Sequence, residues 1–251
     1  MPKRVALSPV LEEKLLSAQK VVILSGAGVS AESGISTFRD KDGLWEKFKP
    51  EEIATPSAFQ KDPKMVWEWY EFRREKIKKV QPNPAHIAVA QMEQLFPQFL
   101  LVTQNVDNLH RKAGSKKLVE LHGNISRNKC IDCEKIYSDS KCNSNTIPPL
   151  CKCGGYLRPD VVWFGELLAQ EALESAQQAS SQAELFFSVG TSAMVYPAAS
   201  LPFLARECGG FVVEINTQET EITPLVDEHL PGKAGEILPV ILEFLKLKRK
   251  K

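Results

Sequence analysis

The sequence predicts an α/β fold in which a Rossmann-like parallel sheet domain carries a smaller inserted module. Short apolar runs alternate with amphipathic stretches along most of the 251 residues, and this alternation is typical of β-α-β units that build a parallel sheet. A glycine-rich turn at Gly26 follows the first apolar run. Two closely spaced pairs of cysteines lie between residues 130 and 153, and a charged stretch rich in aromatic residues precedes them at residues 41–80. The insert is therefore predicted to consist of a zinc-ribbon and a helical module.

Five apolar runs are predicted to form the sheet. Each has four or five residues and stops at a glycine or a polar residue, as buried parallel strands do. The runs are residues 21–24, 99–103, 118–121, 185–189 and 211–215. Helical spacing predicts helices over residues 84–96, 167–182, 198–207 and 236–247. Because the ligands of open α/β sheets bind beyond the carboxyl ends of the strands, a site is expected where these five runs stop.

Composition and charge place few limits on the partners. The chain is 43% hydrophobic and 25% charged with a formal net charge of +1, a globular balance that gives no argument for nucleic-acid or membrane binding. Residues 1–20 contain no apolar stretch of the kind that a secretory signal needs, so a cytoplasmic location is expected. In that compartment, the clustering of five of the six cysteines between residues 130 and 153 indicates metal binding and not a disulfide scaffold.

These patterns predict three parts of the chain. Residues 1–40, 83–125 and 158–251 are assigned to the Rossmann-like domain, residues 41–82 to a helical insert with a cofactor loop, and residues 126–157 to a zinc-binding module built from loops. The length suits one large domain with small insertions.

The turn after the first run matches the dinucleotide fingerprint G-x-G-x-x-G/A over residues 26–31. Its glycines allow the backbone to approach a pyrophosphate closely. A glycine-rich turn without a ligand is the competing interpretation. No acidic residue ends a strand about 20 positions later to hold a ribose, since Glu51 and Glu52 lie within the helical insert. A cofactor is therefore expected to be held differently from that of a simple dehydrogenase.

Four cysteines of the insert form the pairs Cys130-x-x-Cys133 and Cys151-x-Cys153. Four thiolates can close a tetrahedral structural site, so one structural zinc is predicted. The second pair is one residue shorter than the usual spacing, which leaves Cys142 as an alternative ligand. Buried free thiols are the competing interpretation, but they require apolar surroundings that this polar segment lacks.

His122 follows the third apolar run and precedes a glycine. A single histidine is more often an ordinary core or surface residue. At a strand end beside a nucleotide site, however, an imidazole can accept a proton from a ribose hydroxyl near neutral pH. His86, His110 and His229 stand at a helix start or in loops, where no catalytic role is predicted.

Several segments together resemble the sirtuin family. Residues 26–40 are similar to its signature G-A-G-x-S-x-x-S-G-I-P-x-F-R, with Ser36 in place of the proline. The motifs Q-N-[IV]-D and L-H-G and three later segments follow in the family's order, at residues 104–107, 121–123, 158–166, 190–197 and 215–216. The resemblance covers nearly the whole chain, and it implies NAD-dependent removal of acyl groups from protein lysines.

In that family NAD is a consumed co-substrate, and the resemblance implies a role for each matching residue. The acyl-lysine oxygen attacks C1′ of the nicotinamide ribose and displaces nicotinamide. His122 then deprotonates the ribose diol, which attacks the resulting alkylimidate, and the products are free lysine and O-acyl-ADP-ribose. Asn105 and Asp107 hold the nicotinamide end, and Arg39 lies beside the ribose. The implied NAD contacts are Gly26, Ala27, Gly28, Ser30, Phe38, Arg39, Gln104, Gly190, Thr191, Ser192, Asn216, Thr217 and Ala234. The implied clamp for a substrate peptide comprises Val162, Phe164, Gly165, Glu166 and Val195.

Tyr70 and Arg73 stand at positions i and i+3 of a predicted helix in the insert, on one face. An amphipathic helix with a solvated arginine is the plain interpretation. The pattern Tyr-x-x-Arg, together with Ala54, also resembles the sirtuin subclass that removes succinyl and malonyl groups. A guanidinium can bind a distal carboxylate through two hydrogen bonds and a phenol can add a third, so desuccinylation and demalonylation are expected beside deacetylation.

Two other functions would use the same features. A mono-ADP-ribosyltransferase would employ the same NAD pocket, and a non-catalytic nucleotide-sensing zinc protein would need no general base. The expected partners are acyl-lysine proteins or peptides, with no membrane and no specific nucleic acid, and the protein is expected to be a monomer.

Overall fold

The computed structural model describes residues 6–35, 50–138 and 146–249. Its strands are β1 (Lys20–Ser25), β2 (Gln98–Thr103), β3 (Leu118–Glu120), β4 (Gly123–Cys130), β5 (Ile136–Tyr137), β6 (Leu157–Val161), β7 (Leu185–Val189), β8 (Phe211–Asn216) and β9 (Glu228–Pro231). Six of them form a parallel sheet in the order β3-β2-β1-β7-β8-β9, and the other three form an antiparallel sheet in the order β5-β4-β6. The predicted α/β fold with a parallel sheet is confirmed.

The helices are α1 (Pro9–Ser17), α2 (Ala27–Ala31), α3 (Pro50–Ile53), α4 (Pro56–Lys61), α5 (Pro63–Lys78), α6 (Pro84–Met92), α7 (Leu109–Lys112), α8 (Gln170–Ser181), α9 (Leu201–Glu207) and α10 (Ala234–Lys248). Short 3-10 turns cover Ala198–Ser200 and Thr223–Leu225. Side chains cap several helix starts: Ser8 caps α1, Asp62 caps α5 and Asn83 caps α6, each just before a proline. The prolines therefore begin helices here and do not interrupt them.

Strand β1 lies inside the parallel sheet and is covered on both faces. Val21 and Ile23 pack in one apolar cluster with α1, α6 and α10. Val22 and Leu24 pack in a second cluster with α8 and α9. Burial on both faces requires a nearly continuous apolar run, and such a run is the pattern from which the strand is predicted.

The chain leaves the parallel sheet for two inserts, the first between β1 and β2 with α3, α4 and α5, and the second between β3 and β7 with the antiparallel sheet. The two inserts share an apolar cluster that includes Phe59, Tyr70, Ile125 and Trp163. Val106, just beyond the end of β2, packs against the same cluster. The inserts therefore lie beside the carboxyl edge of the parallel sheet.

The cysteine-rich segment is built differently from the expectation. Its composition predicts loops over residues 126–157, whereas a strand framework runs through it from Gly123 to Val161. Composition does not reveal these strands, because β5 has only two residues and the pairing of the eight-residue β4 with β6 is interrupted by a bulge between Asn124 and Asn128. The division of the chain into three parts stays a prediction.

None of the helices in the described ranges has both the length and the apolar character that crossing a bilayer requires.

Candidate active site and metal centre

Two glycine loops meet at the carboxyl ends of β1 and β7. The Gly26 N–H donates to the carbonyl of Val189 over 2.9 Å, and the Gly28 N–H donates to the carbonyl of Gly190 over 2.8 Å. A Cβ atom on Gly28 would lie 2.8 Å from the Gly190 Cα, and Gly190 itself adopts a φ of +58°. Side chains cannot be accommodated at this contact, so the two loops pack backbone to backbone. Helix α2 begins at Ala27, inside the first loop.

The loop after β2 reaches both glycine loops. The Gln104 side-chain Nε2 donates to the Thr191 hydroxyl over 3.0 Å, and the Asn105 side-chain Nδ2 donates to the Gly26 carbonyl over 2.9 Å. The backbone of Asn105 is held by Thr103, whose hydroxyl accepts its N–H over 3.1 Å. Residues that follow β1, β2 and β7 are thus brought together, although they lie far apart in the sequence.

Asp107 lies in the loop after β2 with its carboxylate buried. It accepts one hydrogen bond from the Leu109 N–H over 2.8 Å and another from the Ser30 hydroxyl over 2.7 Å. Burial raises the pKa of Asp107 above its usual value, and these two hydrogen bonds and the nearby Arg73 guanidinium offset part of that rise. The carboxylate joins α2 to this loop and lies within electrostatic reach of the helical insert.

His122 stands between β3 and β4 at the same edge of the sheet. Its Nδ1 lies 3.0 Å from the carbonyl oxygen of Gln104. Because a carbonyl oxygen only accepts, Nδ1 carries the proton and Nε2 keeps its lone pair. Burial lowers the pKa of His122, and the hydrogen bond to Gln104 offsets part of that shift. The imidazole is therefore neutral near neutral pH, which is the state that a general base requires.

The end of β8 closes the opposite side of the loop cluster. The Asn216 Nδ2 donates to the Thr191 carbonyl over 2.9 Å, and the Asn216 Oδ1 accepts the Thr217 N–H over 2.9 Å. Ser192 is half-buried after Thr191, and Ala234 is buried at the start of α10. The predicted NAD contacts Phe38 and Arg39, the variant position Ser36 and the alternative zinc ligand Cys142 lie outside the described residues.

Two histidines for which no role is predicted, His86 and His110, lie directly behind these loops. The His110 Nε2 is 2.9 Å from the Ser25 hydroxyl, the His86 Nε2 is 3.4 Å from the Ser30 hydroxyl, and the two ring centres are 4.7 Å apart. Burial lowers the pKa of His86 to about 4 and holds that of His110 well below its usual value, so both rings are neutral. The buried position of the His86 ring could have been predicted from the capping box that it forms with Asn83 at the start of α6, because this motif holds the ring against the helix end.

The inserts form an apolar region beside these loops. Ala54 is buried, and its carbonyl accepts the Phe164 N–H over 2.9 Å. Tyr70 is 2% exposed, and its hydroxyl accepts a hydrogen bond from the Trp163 indole Nε1 over 2.9 Å. The Phe59 ring lies 5.4 Å from that of Trp163. The α3–α5 segment and the residues after β6 thus enclose one region. Trp163 belongs to it, although only its neighbours in the matching segment 158–166 were predicted as contacts.

Arg73 lies one helical turn from Tyr70 on α5. Its side chain is half-buried, and its guanidinium lies over the Trp69 ring at 5.1 Å from the ring centre. Burial lowers the pKa of Arg73 below its usual value, and the nearby Tyr70 and Asp107 offset part of that shift. Burial also raises the pKa of Tyr70, so its phenol stays protonated. One side of α5 therefore carries a guanidinium and a neutral phenol, both of which can donate hydrogen bonds.

The predicted peptide clamp lies largely at the surface after β6. Phe164 and Val195 are exposed, and Val162 is half-buried. Gly165 turns the chain with a φ of +88°. The Val162 N–H donates to the carbonyl of His122 over 2.9 Å, which ties this segment to the histidine.

The Glu166 carboxylate accepts hydrogen bonds from other residues of the protein. Its two oxygens accept hydrogen bonds from the Arg158 guanidinium over 2.6 and 2.8 Å. One of them also accepts the backbone N–H of Trp163 over 2.8 Å. The Arg158 guanidinium lies over the Trp163 ring, 3.7 Å from its centre. Glu166 thus orders the turn that carries Trp163.

The four cysteines of the two pairs come together as a metal centre would require. The sulfur atoms of Cys130, Cys133, Cys151 and Cys153 all lie within 4.8 Å of one another. The Cys130–Cys153 and Cys133–Cys151 sulfurs are 3.5 and 3.6 Å apart. With a Zn–S distance of about 2.3 Å, the sulfurs of a tetrahedral site stand about 3.8 Å apart. The donor set and its spacing therefore fit one structural zinc, and the short second pair does not prevent this arrangement.

The parallel sheet, the paired glycine loops and the polar side chains at the strand ends define a nucleotide-binding α/β protein with a four-cysteine module. A model of the Sir2 family, which is the sirtuin family, matches residues 26–197. A protein of Aquifex aeolicus named NAD-dependent protein deacylase is 54% identical over 229 residues, which cover 91% of this chain and 96% of that protein. The chain therefore belongs to the Sir2 family, as the motifs predict.

Solved structures of the family have the same fold. A structure of a Sir2 homologue in complex with NAD is 44% identical, with a TM-score of 0.89, and the match covers 98% of this chain and 96% of that one. A structure of a Sir2 variant with a deacetylated p53 peptide and 3′-O-acetyl ADP ribose is 34% identical, with a TM-score of 0.82 and coverage of 93% and 96%. The fold of this chain is thus that of the family over nearly its whole length.

Proposed function

We infer that this chain is an NAD-dependent protein-lysine deacylase that releases nicotinamide and forms O-acyl-ADP-ribose. The observation that carries this inference is the neutral His122 imidazole, whose Nε2 lone pair is kept available by the hydrogen bond from Nδ1 to the Gln104 carbonyl. A protein that only binds a nucleotide needs no such base. A relative named NAD-dependent protein deacylase, 54% identical to this chain, supports the same conclusion.

The carboxyl edge of the parallel sheet fits NAD as the consumed co-substrate. The glycine loops present backbone alone at the ends of β1 and β7, which suits the close approach of a pyrophosphate. Asn105 and Asp107 would hold the nicotinamide end, where bound NAD supplies an electrophilic ribose carbon and a leaving group. The other proposed NAD contacts in the described residues are Gly26, Ala27, Gly28, Ser30, Gln104, Gly190, Thr191, Ser192, Asn216, Thr217 and Ala234.

His122 would move the proton. Its Nε2 takes the proton of a ribose hydroxyl, while Nδ1 keeps its own proton and donates it in the hydrogen bond to the Gln104 carbonyl, which stabilises the charged ring as it forms. The substrate peptide would lie extended along Val162 and Phe164, opposite Val195, and pair with them as an added strand.

The acyl pocket would accept succinyl and malonyl groups as well as acetyl. Ala54, whose carbonyl accepts the Phe164 N–H, has a small side chain that would leave room for a longer acyl group, and α5 places the Tyr70 phenol and the Arg73 guanidinium one turn apart. A distal carboxylate on the acyl chain can bind both donors. A hydrogen bond to a charged group contributes about 1.5–3 kcal/mol, which corresponds to about ten- to a hundredfold in selectivity.

The test is a set of lysine peptides with identical flanking residues and different acyl groups, incubated with NAD and analysed by mass spectrometry. Arg73→Met should lower kcat/KM for succinyl-lysine about ten- to a hundredfold more than that for acetyl-lysine. Lys76→Met, an exposed position on the same helix, is the control and should leave this ratio unchanged. Equal loss of both activities in Arg73→Met would make Arg73 a structural residue, and gain of ADP-ribose on the peptide would indicate a transferase.

We also propose the setting in which the enzyme acts. Acyl-lysine proteins are its partners, and the chain works as a cytoplasmic monomer that binds no specific nucleic acid. The net charge of +1 supports the last point, because nucleic-acid binding depends on clustered positive charge.

A further inference from the structure

Trp163 donates the single hydrogen bond available to an indole to the hydroxyl of Tyr70. The donor and acceptor atoms are 2.9 Å apart, and both side chains are buried. We propose that Trp163 is a positioning residue that sets the direction of the Tyr70 hydroxyl, so that the phenol donates its proton into the acyl pocket toward a distal carboxylate. This proposal rests on the proposed desuccinylase function and names the group that prepares the pocket for an acidic acyl chain.

The direction of the hydroxyl follows from the donors and acceptors present. An indole N–H can only donate, whereas a phenol oxygen has one proton and two lone pairs. Because the Trp163 N–H takes one lone pair of the Tyr70 oxygen, the Tyr70 proton points away from Trp163. Burial raises the pKa of Tyr70, so this proton stays on the oxygen. The phenol is therefore a donor of fixed orientation, and less ordering is needed when a ligand binds to it.

Trp163 can fix this orientation because its own ring is held. The Arg158 guanidinium covers one face of the indole, 3.7 Å from the ring centre. Arg158 is held in turn by both oxygens of Glu166, and Glu166 also accepts the Trp163 backbone N–H. The Phe59 ring packs 5.4 Å away at an angle of 40°. These contacts fix both the backbone and the ring of Trp163.

The effect should depend on the acyl group. An acetyl group ends in a methyl and has no acceptor at its far end, whereas a succinyl or malonyl carboxylate requires a donor there. Trp163→Phe keeps an aromatic ring and removes the N–H, so the Tyr70 proton can turn toward other acceptors. We expect kcat/KM for succinyl-lysine to fall about three- to tenfold more than kcat/KM for acetyl-lysine, the scale of one neutral hydrogen bond.

A double-mutant cycle with both substrates tests this proposal. The succinyl-to-acetyl ratio of kcat/KM is measured for the parent, Trp163→Phe, Tyr70→Phe and the double variant. Both single variants should lower the ratio, and the double variant should match Tyr70→Phe, because without the hydroxyl the indole has nothing to orient. Trp67→Phe is the matched control, since Trp67 lies on α5 but packs in a separate cluster with Cys130 and Leu157, and it should keep the parental ratio.

The outcomes separate this proposal from the function on which it rests. An unchanged ratio in Trp163→Phe, or effects that multiply in the double variant, would overturn the role of Trp163 and leave the desuccinylase function standing. Absence of succinyl turnover in the parent would overturn both. If Trp163→Phe does not fold, replacement of Trp163 by 3-benzothienylalanine, which keeps the bicyclic ring and lacks the N–H, decides the same question.

Discussion

Replacement of Arg74 by methionine tests whether one buried guanidinium fixes α5 to the cysteine module. The Arg74 side chain is 2% exposed. It donates to three acceptors on β4, which are the carbonyls of Ile125 at 2.6 Å and Arg127 at 2.9 Å and the Oδ1 of Asn128 at 2.6 Å. These carbonyls need a donor from outside the sheet, because the pairing of β4 with β6 is interrupted between Asn124 and Asn128. The guanidinium therefore replaces the missing strand partner.

The size of the effect follows from this burial. Removal of Arg74 leaves two carbonyl oxygens and an amide oxygen without this donor, and an unsatisfied buried acceptor costs about 1–3 kcal/mol, so a loss of about 3–5 kcal/mol is expected after partial relaxation. In a protein of this length, each kcal/mol lowers the melting temperature by about 2–4 °C. Arg74→Met should therefore melt about 6–20 °C below the parent. Arg73→Met, at the neighbouring half-buried position, is the matched control and should melt closer to the parent.

Thermal unfolding followed by circular dichroism at equal zinc content measures both shifts. The same samples are assayed with succinyl- and acetyl-lysine peptides. Arg74→Met should lower both activities in proportion, because the whole helix loosens, whereas Arg73→Met should change their ratio. A melting temperature for Arg74→Met within about 2 °C of the parent would mean that the bulge carbonyls are satisfied without Arg74, and the reasoning would fail.

Three further outcomes are expected, two at His122 and one at the metal centre. His122→Ala should lower deacylation by about a hundredfold or more while NAD affinity, measured by calorimetry, is kept. Burial lowers the His122 pKa from its usual 6.5 and only the neutral ring accepts a proton, so the acid limb of the parent's kcat/KM profile, which reports the free enzyme, should lie below pH 6.5; a limb above that value would contradict this role. The double variant Cys130→Ser/Cys133→Ser should contain no zinc by elemental analysis and should melt well below the parent, since structural zinc contributes folding energy. Undiminished zinc in that variant would exclude these two ligands.

Most of the parallel sheet could be predicted because its strands are buried on both faces. The apolar runs of β1 and β7 are therefore nearly continuous, and a polar residue or glycine ends each of them. Within the parallel sheet, the strand that was not predicted is β9, which lies at an edge and has Leu230 as the one buried residue among its four. In α1 only Leu11 and Leu15 are buried. A pattern search depends on runs of apolar residues, so β3, at the other edge of the sheet, could still be predicted from Leu118 and Val119, whereas β9 and α1 gave too weak a signal.

The candidate site also has a part that could be predicted from the sequence and a part that could not. Residues after the strands could be named because a parallel sheet gathers all carboxyl ends at one edge. The contact of Trp163 with Tyr70 joins residues 93 positions apart, and that of Ser25 with His110 joins residues 85 positions apart. Both depend on how the inserted and short helices pack, which no local pattern specifies. The burial of Arg74 could not be predicted either. Arg73 beside it has the same side chain, and only the direction in which Arg74 leaves the helix buries it.

The cysteine module joins the parallel sheet through two chain crossings that lie side by side. Strand β4 begins at Gly123, directly after His122, and β6 ends directly before Val162. The crossings touch, since the Val162 N–H donates to the His122 carbonyl over 2.9 Å and a Cβ atom at Gly123 would lie 2.2 Å from a carbonyl oxygen near the end of β6. Cys130 stands at the opposite end of the same strand pair. A zinc ion bound there would hold the far ends of β4 and β6 together. Metal content would then affect the alignment of the proposed base and the substrate strand, although the metal makes no contact with the reacting atoms.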